Sequence, residues 1–129
     1  MGYSINLING KNFVIRKENF EKALESLKSV FVPEKMPIDG KRFSWVWTSG
    51  VLESKTLEAA LREIRYVAIM SDNGDITGLM FTGEKDGDED IFFTALAPWV
   101  ENGSFLSFQG EDGGKWTWKF NNGMVEYTI

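Results

Sequence analysis

The chain is predicted to fold as α+β: a mostly antiparallel sheet of about seven to eight short strands, with three helices packed on one face. Three observations carry that prediction. Apolar residues recur at spacings of three and four in three stretches, as one face of a helix requires. Short runs rich in aromatic and β-branched residues alternate in polarity, as half-buried strands do. Turn residues such as Asn9-Gly10, Asp72-Asn73-Gly74 and Asn121-Asn122-Gly123 punctuate those runs.

The elements follow in order. Residues 3–8 and 11–15 read as strands around Asn9-Gly10, a dipeptide suited to the positive φ angles of a type I′ hairpin. A helix is predicted over about 17–30, where Phe20, Ala23, Leu24, Leu27 and Phe31 share one face and Glu21, Lys22, Glu25 and Lys28 the other. Pro33, Pro37 and Gly40 mark a loop over 32–42. Residues 43–48 alternate as a strand, placing Phe43, Trp45 and Trp47 on one face. A second helix, about 55–64, carries Leu57, Ala60, Leu61 and Ile64, with Ser54 as its expected N-cap. Residues 66–70 and 76–82 form a hairpin across Asp72-Asn73-Gly74-Asp75. The acidic stretch 83–90 leads into a third helix, about 89–97, whose crowded acidic start suits the helix dipole. A three-stranded meander over 104–109, 115–120 and 124–128 closes the chain. In it Trp116, Trp118 and Phe120 point to one side, and the sheet's inner, core-facing side is the expected place for them. No linker divides the 129 residues, so one domain over 1–129 is expected.

Composition narrows the chemistry. Histidine and cysteine are both absent, which removes catalytic triads, Cys–His dyads, disulfides and thiolate or imidazole metal sites. Any catalysis would rest on carboxylates, Lys, Tyr or an oxygen-ligated cation. No catalytic residue, metal or cofactor is therefore expected. The net charge of −5 and the scattered Lys and Arg offer no basic stripe for nucleic acid. No apolar run reaches bilayer length, and Met1-Gly2-Tyr3-Ser4-Ile5-Asn6 lacks the parts of a signal peptide, so a cytoplasmic location is expected.

Two clusters invite a binding role. Asp86, Asp88 and Asp90 alternate like the first ligands of an EF-hand loop, but Ile91 and Ala97 stand where that motif needs Gly and Glu. A solvated loop explains them better. If the sheet curls so that the Glu111-Asp112 turn meets Glu84 or Asp86, the carboxylates would form an acidic site, although turn chemistry alone also accounts for Glu111-Asp112-Gly113-Gly114. Trp99, beside Pro98 and a turn, is the indole expected to be most exposed. Candidate ligand-binding residues are thus Trp99, Glu84, Asp86, Glu111 and Asp112.

The string Leu96-Ala97-Pro98-Trp99-Val100, with Gly103-Ser104, Gly110-Glu111-Asp112-Gly113, Trp116, Trp118, Phe120 and Gly123, resembles a pattern in small uncharacterised bacterial and phage-borne proteins. The resemblance implies a bacterial or mobile-element accessory protein and lends no catalytic residue. The expected function is a non-enzymatic protein–protein interaction domain, whose acidic surface would steer a basic partner. The alternative is a small-ligand or carbohydrate module, or a carboxylate/Mg-dependent hydrolase, built on exposed aromatics with Glu84, Asp86 or Glu111.

Overall fold

A computed structural model describes residues 2–31, 46 and 48–129. The chain is α+β with antiparallel sheets. Strand β1 (Ile5–Asn12) pairs with β4 (Ser104–Gly110), which pairs with β5 (Lys115–Asn121) and then β6 (Met124–Thr128). Strands β2 (Tyr66–Met70) and β3 (Ile76–Phe81) form a separate hairpin, tied to the segment that follows β1 by mutual 3.0 Å hydrogen bonds between Ile15 and Ile76. The described residues hold six strands, fewer than the seven to eight expected, and four α-helices.

The first missing strand has a clear cause. Asn9-Gly10 is no hairpin turn: the chain runs straight through it as β1, with register shifts on both sides of Asn9 along β4. Gly10 is needed for proximity. A Cβ there would stand 2.2 Å from the Leu79 carbonyl oxygen of β3. Long-range pairing with β4 on one flank and close packing of β3 on the other outweigh the local turn preference. The strand expected over 43–48 lies almost wholly outside the described residues, as does the 32–42 loop. Val46 is described and buried, and Thr48 opens a helix instead, α2 (Thr48–Glu53).

Helix α1 (Phe20–Ser29) follows a 3-10 turn at Lys17–Asn19 and buries Ala23 and Leu27, as its spacing predicts. Helix α3 (Leu57–Glu63) is capped by Thr56, whose Oγ1 accepts from Ala59 N at 3.1 Å. Ser54, the expected cap, is occupied elsewhere, donating to the Gly50 carbonyl at 2.8 Å to close α2. Helix α4 (Glu89–Leu96) and a 3-10 turn at Ala97–Trp99 match the predicted third helix.

Phe93 of α4 is the hub of the core. Its ring centroid lies 5.8 Å from Tyr66, 6.0 Å from Phe120 and 5.6 Å from Trp118, joining the helix to both sheets. Phe31 stacks on Phe92 at 5.6 Å and carries α1 into the same cluster. The meander's inner face is therefore partly core: Phe120 is fully buried, while Trp118 and Trp116 are only half-buried. That uncovered end of the face is where the candidate site lies.

Candidate functional site

Residues Tyr3 to Ile5 lead into β1 between two acidic segments. On one side, Ile5 N donates to the Glu84 carbonyl at 3.0 Å, Asp86 N donates to the Tyr3 carbonyl at 2.6 Å, and Lys85 Nζ reaches Ser4 Oγ at 2.8 Å. On the other, Glu111 N donates to the Ser4 carbonyl at 2.9 Å and Ser4 N donates to Glu111 Oε1 at 2.6 Å. The β4–β5 turn that presents Glu111 and Asp112 is closed by Gly110 N to the Gly114 carbonyl at 2.8 Å. The acidic loop and the meander turn, 25 or so residues apart in sequence, are thus brought to opposite edges of one short strand segment.

The Tyr3 ring crosses directly over Gly110. A Cβ at that glycine would lie 1.8 Å from the Tyr3 hydroxyl oxygen, so only glycine admits the ring. The hydroxyl donates to Asp112 Oδ1, which also accepts from Gly114 N at 3.0 Å. The Tyr3 hydroxyl bond, and then the Gly114 N–H, hold the Asp112 carboxyl below its usual pKa. The same bond raises the Tyr3 phenol above its ordinary value.

Between these segments and the end of the sheet lies an open cleft of about 330 Å³. Tyr3, Trp116, Trp118 and Tyr127 form its aromatic walls, and Asp86 and Asp112 line it with carboxylates from two different segments. Lys115 and Ile129 complete its rim. The rings are angled, not level. Tyr3 and Trp116 are 6.3 Å apart at 33°, and Trp118 and Tyr127 are 4.8 Å apart at 60°. Trp116 backs onto the buried Phe108 at 6.1 Å, nearly parallel, which anchors it to the core. The Trp118 Nε1 is buried and finds no hydrogen-bond partner among the described residues.

No family model matches the chain, no curated protein matches it, and no solved structure matches it. The geometry stands on its own.

Of the sequence-predicted candidates, Asp86 and Asp112 both line the cleft. Glu111 sits beside it, its carboxylate spent on the Ser4 amide. Glu84 is exposed and serves the site through its carbonyl. Trp99 is elsewhere: its indole donates to Ser26 Oγ at 2.7 Å and Lys22 Nζ lies 5.6 Å over its ring, so it fastens the end of α4 to α1. Among the described residues no three carboxylates converge in a group able to hold a metal ion.

One ionisable cluster escaped the sequence reading. Glu89, 3% exposed, accepts from Gly87 N at 2.8 Å, from the Tyr66 hydroxyl at 3.1 Å and from Arg65 at 3.3 Å. Arg65 also donates to the Lys85 carbonyl at 2.8 Å and rests over Phe81 at 5.1 Å. Burial raises the Glu89 pKa, against the Gly87 amide, Arg65 and Tyr66, which lower it. This cluster anchors the base of the loop that carries Asp86. Its only sequence signal was a third acid in Asp88-Glu89-Asp90, at the first turn of α4.

Proposed function

We propose that the chain is a non-enzymatic interaction domain that engages a basic protein partner through the Tyr3–Trp116–Tyr127 cleft. One observation carries the reading: half-exposed rings and two carboxylates from separate segments share one opening. Aromatic residues anchored on a rigid core are the usual energetic centre of a binding surface, because little conformational entropy is lost when they are covered. The net charge of −5 adds long-range attraction for a basic surface. Lack of cysteine suits a reducing cytoplasm. A bacterial or mobile-element accessory role, the one the residue pattern over 96–123 implies, would fit such a domain.

The test places a photo-cross-linking phenylalanine analogue at Tyr127, which is 50% exposed at the cleft mouth, and another at Met80, 52% exposed on β3. A discrete protein adduct is expected from position 127 and none from position 80. Equal adducts from both, or none from 127, would remove the reading.

A carbohydrate ligand is the second reading, favoured by aromatic rings and acidic residues lining one open cleft. Pockets for small ligands begin near 300 Å³. A sugar array bound to immobilised protein separates the two directly.

A further inference from the structure

We infer that the group this cleft recognises is the ammonium of a lysine side chain. The inference rests on the cleft being the partner-binding site, and it adds the chemistry of what enters.

Charge comes first. Asp86 and Asp112 both line the cleft, and among the described residues neither takes part in an ion pair. Lys115 stands on the same rim without pairing to them. Acidic side chains with no basic partner at an opening attract a cation. Aromatic rings within about 6 Å of such a cation add a further attraction through their negative faces.

The shape of the walls then selects among ligands. A sugar stacks best on a broad, flat ring face. Here Trp116 is backed by Phe108 and flanked by a Tyr3 ring tilted 33°, and Tyr127 leans 60° against Trp118. Angled rings make a cup, which suits a compact cation more than a flat ring. A guanidinium would want two parallel bonds to both oxygens of one carboxylate. At Asp112 that fork is obstructed, because the Tyr3 hydroxyl and the Gly114 amide both converge on Oδ1. What remains is a single-point acceptor at Oδ2. An ammonium, a point charge with rotatable donors on a slender apolar stem, fits a single acceptor and an aromatic cup together.

The experiment is a nitrogen–proton NMR titration of the full chain, following the indole N–H signals of Trp116 and Trp118. The probes are three blocked tripeptides, Gly-Lys-Gly, Gly-Arg-Gly and Gly-norleucine-Gly, together with N-acetylglucosamine. The lysine peptide is expected to shift Trp116 with saturation in the millimolar range, as one desolvated cation contact allows. Arginine should bind about fivefold more weakly, since at Asp112 its fork must compete with Tyr3 and Gly114 for Oδ1. Norleucine, with the same stem and no charge, should give no saturable shift. Asp86→Asn should weaken the lysine peptide about fivefold by removing a charged acceptor. The same spectra report whether that variant is folded. Arginine binding as tightly as lysine, norleucine binding equally well, a response to the sugar alone, or no response to any probe overturns the inference. The two proposals fail separately. A cross-link at position 127 without lysine selectivity leaves the interaction reading standing. A lysine-selective cleft without a protein cross-link leaves the ammonium site standing instead.

Discussion

Gly110 does more for the cleft than any side chain in it. The Tyr3 ring lies where a Cβ at position 110 would be, so Gly110→Ala must expel the ring and strip Asp112 of its hydroxyl donor. Overpacking of this kind costs about 1–3 kcal/mol. Urea denaturation should show a loss of that size, with a red shift of tryptophan emission as Trp116 loses its Tyr3 neighbour. Tyr3→Phe keeps the ring and should cost less than Gly110→Ala, since it removes only one exposed hydrogen bond. An unshifted spectrum in Gly110→Ala would mean the ring does not pass over that glycine. Glu89 makes a different prediction. Its folded pKa is raised, mainly by burial, so the folded state binds its proton more tightly than the unfolded chain. That contribution to stability is fully present below the ordinary value of 4.5 and is lost as pH rises through the raised folded value. Glu89→Gln cannot titrate, and the difference in stability between it and the parent should therefore change across that window and level off on either side. A constant difference across the acid range, measured by urea melts, would contradict the assignment.

At the scale of elements, Thr56→Ala tests the cap that the structure assigns to α3. Loss of its bond to Ala59 N should cost about 1 kcal/mol and fray the first turn of α3, seen as lost amide protection at Ala59, while Ser54→Ala should leave that protection unchanged. Lost protection at Ala59 in Ser54→Ala, but not in Thr56→Ala, would restore Ser54 to the capping role. The two residues also show why some elements were legible in the sequence and others were not. Helices α1 and α4 declare themselves by apolar spacing and by acidic residues at the α4 start, and the β2–β3 and meander turns by Asn, Asp and Gly. Those signals are local. Ser54 misled because α2 lies just ahead and claims its hydroxyl, which the sequence of α3 does not reveal. Asn9-Gly10 misled for the same kind of reason. Its turn preference is real, but β1 is held by β4 on one side and approached by β3 on the other, and both partners lie tens of residues away.

For the whole molecule, the cleft was half legible. Asp86, Asp112 and the Trp116/Trp118 alternation stood out in the sequence, and the idea that the meander turn meets the acidic loop was conditional on sheet curvature. What joins them is Tyr3-Ser4, an undistinguished pair that hydrogen-bonds to both acidic segments at once. Tyr127 enters only because β6 places it beside Trp118. Burial of Glu89 was likewise hidden, since its neighbours Asp88 and Asp90 give the same residue type and only the packing of Tyr66 and Arg65 singles it out. Charge that acts through an open cleft is screened by salt, with a Debye length near 10 Å at about 0.1 M. The most direct measurement is therefore the yield of the position-127 cross-link in the parent chain and in Asp86→Asn, at low and at high salt. The account predicts a yield that falls with salt in the parent and is already low in Asp86→Asn. A yield indifferent to both the carboxylate and the salt would contradict it.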